Sequence, residues 1–113
     1  MGVIKQNKIF EWDYSEYSDI LNIHKKNVHI AEGSEFGDID LDFDKQGNVI
    51  GIQILWASEF LAPTGITKKQ LEELNNAEIL LTHPNKETTV AWIKLGIPNN
   101  PDLVLPLPVP LHA

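Results

Sequence analysis

The chain contains no cysteine and no arginine. Without cysteine there is no disulfide, no thiolate nucleophile and no Cys-ligated zinc, and the composition suits a reducing compartment. Without arginine, 16 acidic residues stand against 9 lysines and the formal charge is −7. Phosphate backbones are held by Lys and Arg, and base edges are read best by bidentate Arg, which argues against a nucleic-acid partner. The lysine pairs (Lys5 with Lys8, Lys25–Lys26, Lys68–Lys69, Lys86 with Lys94) are too small to form a basic track. No apolar run approaches the roughly 18 residues of a membrane span, and the opening MGVIKQNKIFEW is too polar for a signal peptide. The expectation is a soluble, cytoplasmic chain with neither membrane nor nucleic acid as partner.

What is present is material for one small β-rich domain. At 113 residues and 42% hydrophobic side chains the chain can bury a modest core. The clearest signal is the pair of runs Asp38–Asp44 and Val49–Ala57 around a polar turn, a β-hairpin. A three-residue loop would set Phe43 opposite Val49. A four-residue loop, Lys45–Asn48, sets Phe43 opposite Ile50, Leu41 opposite Ile52, Ile39 opposite Ile54, Asp42 opposite Gly51 and Asp40 opposite Gln53. A one-residue slip exchanges the two faces, so the hydrophobic pattern selects the four-residue loop. Apolar residues on both sides of Val49–Ala57 predict a central strand covered on both faces.

Further strands are predicted at Ile9–Trp12, Asp19–Lys25 and Val28–Ala31, with Glu32–Gly37 as a loop. A helical turn at Ser58–Leu61 with Ser58 as its N-cap is broken at Pro63–Gly65. A short helix then spans Thr67–Asn75, opened by a Thr67/Gln70 capping box. A second hairpin joins Ala77–His83 to Thr88–Leu95 through Pro84–Glu87. The predicted class is α+β, mainly β: an antiparallel sheet of five to seven strands, one short helix and a proline-rich C-terminal tail. Residues 1–98 form the domain. Residues 99–113, with Pro101, Pro106, Pro108 and Pro110 among Leu103, Val104, Leu105, Leu107, Val109 and Leu111, are too apolar for a solvated tail. They dock either on their own domain or on a neighbouring subunit.

Candidate chemistry is sparse. Asp38, Asp40, Asp42 and Asp44 put four carboxylates on one strand face, and hard cations prefer oxygen ligands. Asp40, Asp42 and Asp44 match the opening of a calcium loop, but Lys45 stands where its glycine belongs and Gly51 where its bidentate glutamate belongs. Charges on a solvated β face, which also blunt edge pairing, explain the ladder more simply. His24, His29, His83 and His112 show no HxH, HxxxH or HExxH spacing. A proton-transfer pair of His24 or His29 with Asp38 or Glu35 would have to converge in three dimensions. Ser58 lacks a GxSxG context, and no glycine-rich phosphate loop occurs. Trp12, Trp56 and Trp92 read as core or interface aromatics. No catalytic residue and no cofactor is assigned.

Asp19–Ile23 (DILNI), Gly37–Asp44 (GDIDLDFD), Gly47–Asn48, Val49–Leu55 (VIGIQIL) and Ala57–Ser58 stand in an order and spacing that resembles the uncharacterised family catalogued as domain of unknown function 2283, over residues 14–61. The resemblance implies a small compact β-rich domain, carries over no catalytic residues, and leaves about fifty residues beyond it. It also implies, as one alternative, an antitoxin-like partner of a basic protein. The residues themselves favour a small acidic, non-enzymatic protein-interaction domain that self-associates, with a divalent-cation protein using the aspartate ladder as the other alternative.

Overall fold

In the computed structural model, which describes residues 4–107, nine strands form two antiparallel sheets. The strands are β1 (Lys5–Gln6), β2 (Phe10–Ser15), β3 (Ile20–Lys25), β4 (Glu32–Phe36), β5 (Ile39–Phe43), β6 (Val49–Leu55), β7 (Asn76–Asn85), β8 (Thr88–Gly96) and β9 (Leu103–Leu107). Between β6 and β7 lie α1 (Ala57–Phe60), a 3-10 turn at Ala62–Thr64 and α2 (Lys68–Glu72). The mainly β class holds. The strands are divided between a six-stranded sheet, order β1-β2-β3-β6-β5-β4, and a three-stranded sheet, order β7-β8-β9.

Period-two alternation builds the larger sheet. Phe10, Trp12 and Tyr14 of β2, Leu21 and Ile23 of β3, Leu41 and Phe43 of β5, and Ile52 and Ile54 of β6 are all buried on one face. Ala77, Ile79, Ala91, Ile93, Leu95 and Leu107 of the second sheet, with Leu71 and Leu74 from α2 and its exit, close over that face in one continuous core. Burying each large aliphatic side chain contributes roughly 1.5–3 kcal/mol, so this layer-on-layer contact outweighs any local propensity.

The central hairpin follows the hydrophobic pattern at four pairs: Ile39–Ile54, Asp40–Gln53, Leu41–Ile52 and Asp42–Gly51. At the turn end it departs. Phe43 lies opposite Val49 rather than Ile50, through a β-bulge after Asp42. The extra residue lets both Val49 and Ile50 be buried while Phe43 stays in the core. Strand β6 is central, between β3 and β5, but the second sheet covers only its inner face. On the outer face Gln53 and Leu55 are half-exposed, which corrects the expectation of cover on both sides.

Other differences are local. Val28–Ala31 is not a strand; it belongs to the crossover that carries the chain from β3, past β6 and β5, to the far edge. Glu32–Phe36, expected as loop, is edge strand β4, because the backbone of β5 supplies its ladder despite Gly33 and Ser34. Strand β2 runs on through Asp13–Ser15. Helix α2 is shorter than expected, but its capping box is present: Gln70 N donates to Thr67 Oγ1 at 3.1 Å and Thr67 N donates to Gln70 Oε1 at 2.9 Å. Leu103–Leu107 pairs with β8 as an edge strand, Pro106 opposite Trp92. An edge tolerates the missing amide of a proline. The expectation for Pro108, Val109, Pro110, Leu111 and His112 lies outside the described residues.

Candidate functional site

Among the described residues no element covers the outer face of the six-stranded sheet, which carries most of the polar residues of its strands beside Ile20 and Leu55. Two rows cross it. One runs Glu11, His24, Gly51, Asp42, Gly33, and the next runs Asp13, Asn22, Gln53, Asp40, Glu35. Five carboxylates therefore share a face with a single histidine. Asn22 Nδ2 donates to Asp13 Oδ1 at 3.0 Å, which relieves one of them. Glu35 and Asp40 are direct cross-strand neighbours, a like-charge pair that weakens the ladder.

The aspartate ladder is split by this geometry. Asp40 and Asp42 lie on the outer face, but Asp38 sits in the β4–β5 turn, where its carbonyl accepts the Leu55 N–H at 2.8 Å. Asp44 closes the next turn: its carboxylate accepts from Gln46 N and Asn48 N at 2.9 Å each and from Asn48 Nδ2 at 3.3 Å. The Asn48 amide, ahead of a weaker opposing desolvation, holds the Asp44 carboxyl below its ordinary value. Among the described residues no three His, Asp or Glu side chains are grouped to hold a metal ion.

His24 does not meet Asp38 or Glu35, the carboxylates expected to pair with it. His24 is separated from Glu35 by the strands β6 and β5, roughly 14 Å at the usual strand spacing. Asp38 lies at the Leu55 end of β6, whereas His24 lies at the Gly51 end. His29 is exposed in the crossover and His83 is exposed with Nδ1 3.1 Å from Thr89 Oγ1. His24 leans over Gly51 beside Asp42. A Cβ on Gly51 would meet Asp42 Oδ2 at 2.8 Å and His24 Cδ2 at 2.9 Å, so the missing side chain makes the approach possible.

A site that the sequence did not single out joins Tyr14, Asp19 and Ser58. Asp19 is buried at the entry to β3 with φ 56°. Tyr14 Oη donates to its Oδ1 at 2.7 Å, Ser58 N donates to the same oxygen at 3.0 Å, and Ser58 Oγ donates to Oδ2 at 2.7 Å. The Ala57 N–H donates to the Asp19 carbonyl at 2.9 Å. Burial pushes the Asp19 carboxyl up, but the Tyr14 and Ser58 hydrogen bonds together outweigh it and hold it below its ordinary value. Burial first, then the Asp19 carboxylate, raises the Tyr14 phenol well above its ordinary value. Ser58 is thus not the N-cap of α1. That position is Trp56, in the left-handed region at φ 54°, and the Ser58 hydroxyl is spent on Asp19. With the Tyr14 and Ser58 donors all directed to one carboxylate, the trio ties the β2–β3 turn to α1 as a clamp.

Two further surfaces are available. An open cavity of about 310 Å³ lies between Thr64–Gln70 and Ile97–Leu103; its carboxylate, Asp102, sits 3.7 Å from Lys94 Nζ. The outward face of the three-stranded sheet carries a cross-strand row of Leu80, Trp92 and Pro106, with Val104 beside it. Leu80 is 41% and Val104 47% exposed. Among the described residues no helix is long and apolar enough to cross a membrane.

No curated protein and no solved structure matches the chain. Residues 12–58, from within β2 to the first turn of α1 and including the clamp that ties Asp19 to Ser58, match the family model described as Protein of unknown function (DUF2283).

Proposed function

We propose that the chain is a cytoplasmic, non-enzymatic protein-interaction domain that self-associates. The observation that carries this reading is the outward face of the three-stranded sheet. Leu80, Trp92, Pro106 and Val104 lie together on it, half-exposed or exposed, on a chain whose other free sheet face is acidic. Apolar side chains gathered on one face lower the free energy of a complex that hides them. Glu78, the carboxylate on this face, has Lys94 as its cross-strand neighbour with Nζ 4.0 Å away, so a molecule of charge −7 meets its own copy with less repulsion here than on the acidic face. Trp56 supports the same reading: it holds a left-handed backbone that disfavours a bulky residue, yet is 57% exposed, next to Phe60 at 41%. Light scattering on the full chain at micromolar concentration tests it. A mass above that of one chain is the expected result, and a single-chain mass overturns the reading.

A second reading takes the acidic face as the docking surface of a basic protein, the antitoxin-like alternative. The five carboxylates of Glu11, Asp13, Glu35, Asp40 and Asp42 favour it. Binding of oligolysine that weakens with salt and is lost on combining Asp13→Asn, Asp40→Asn and Asp42→Asn is its signature. The cation alternative needs Asp40 and Asp42 to recruit a third ligand, and calorimetry with calcium and magnesium decides it.

A further inference from the structure

We propose that two copies of the chain pair antiparallel through the free edge of β7, about a two-fold axis that passes through Leu80. The proposal rests on the self-association reading above and says where and in what register it occurs.

An open strand edge is a template for another strand, and proteins protect such edges with short length, charge, proline or a bulge. Among the described residues the two sheets have four edges, and three are protected in that way. Strand β1 is two residues long, β4 carries Glu32 and Glu35, and β9 carries Pro106. Strand β7 carries Glu78 and Pro84 as well, but both lie outside its middle, which is left open. Between Glu78 and the irregularity at His83–Pro84 lies Ile79–Thr82 (ILLT), a window without charge or proline at the end of the β7-β8-β9 order.

The register follows from side-chain direction. Directly opposed residues in a sheet point to the same face, so a two-fold axis between β7 and its copy has to pass through a residue and not between two. Centring on Leu81 sets Ile79 against His83, inside the bulge. Centring on Leu80 sets Leu80 against Leu80, Ile79 against Leu81 and Glu78 against Thr82. No carboxylate then faces another, although each molecule carries a charge of −7. On the outward face the row Pro106–Trp92–Leu80 meets its own copy end to end. The exposed Leu80 gains a Leu80 neighbour, and one apolar row runs across six strands. The occupant that fits is a second copy, because the window complements itself in both charge and hydrophobicity.

The absence of cysteine makes the test clean. In light scattering, the unmodified chain is expected at twice the chain mass. Leu80→Lys, which sets two ammonium groups face to face on the axis at an exposed site, is expected as a single chain with its circular dichroism unchanged. Leu80→Cys, with Cβ atoms about 5 Å apart across the pair, is expected to form a covalent dimer under mild oxidation, whereas Val104→Cys on the opposite edge strand stays single. If Leu80→Lys keeps the doubled mass, or Val104→Cys cross-links in place of Leu80→Cys, self-association stands and this pairing is overturned. If the unmodified chain has a single-chain mass, both are overturned.

Discussion

Ser58 and Asp19, 39 residues apart in the chain, are joined by two hydrogen bonds, Ser58 Oγ to Oδ2 at 2.7 Å and Ser58 N to Oδ1 at 3.0 Å. The strand entry at Asp19 and the helix start at Ser58 are thereby locked together, although four strands, β3 to β6, separate them in the chain. Hydrogen bonds to a buried charge are worth about 1.5–3 kcal/mol each. Ser58→Ala is expected to lower unfolding stability by about 2 kcal/mol, and Asp19→Ala by more, since it strands the Tyr14 hydroxyl and the Ser58 amide together. Urea denaturation of the three proteins measures both.

The same clamp sets the pH range of the fold. The Asp19 carboxyl is held below its ordinary value, so its contribution is complete above an unfolded pKa of about 4 and is lost as the pH falls through the lower folded value. Tyr14 runs the other way. Its phenol is raised, so its contribution is complete below about 10 and is lost as the pH climbs above that. Asp44 adds to the acid limb in the same sense as Asp19. Stability measured against pH is expected to lose part of its acid slope in Asp19→Asn and part of its alkaline slope in Tyr14→Phe. Unchanged slopes would show that the clamp carries no net proton linkage.

Glu35 faces Asp40 across β4 and β5. Glu35→Lys converts a like-charge pair into an opposite one, and is expected to raise stability by roughly 0.2–1 kcal/mol. The gain should shrink in high salt, because both side chains lie on an open face. Melting temperatures at low and high ionic strength check it.

Gly96 ends β8 against Asn75 and Asn76. An added Cβ would run into Asn75 Oδ1, stand 2.9 Å from Asn76 Cβ and 3.2 Å from the Asn76 backbone nitrogen. Gly96→Ala is expected to cost about 1–3 kcal/mol as overpacking. Gly51→Ala is expected to cost less, because the atoms it meets are on the side chains of Asp42 and His24, which can swing away. Thermal unfolding of the two variants ranks them.

Much of the fold was legible because alternation survives in the sequence. The pairs Ile39–Ile54 and Leu41–Ile52 follow from hydrophobic matching alone. The bulge at Phe43 does not, since Val49 and Ile50 are equally apolar and either could face it. Strand β4 was hidden because Glu32, Gly33 and Ser34 signal a loop, and only the neighbouring backbone makes them a strand. Val28–Ile30 has strand-forming residues but no partner, since the crossover carries it to the far edge of the sheet. The division into two sheets, and the meeting of Asp19 with Ser58, depend on contacts between distant segments that no local pattern records. The aspartate ladder was visible as residues, but its division between two turns and one face was not, because the turn hydrogen bonds of Asp44 claim a carboxylate that spacing alone would leave free.

The second sheet roofs the strands that match the family. Residues 12–58 supply β2 to β6 and one apolar slope of the core, with Leu21, Ile23, Leu41, Ile52 and Ile54 pointing toward segments that lie wholly outside that match. A relative ending near Ser58 would leave those five side chains wet. In this chain the residues beyond the match supply that cover from within the same molecule.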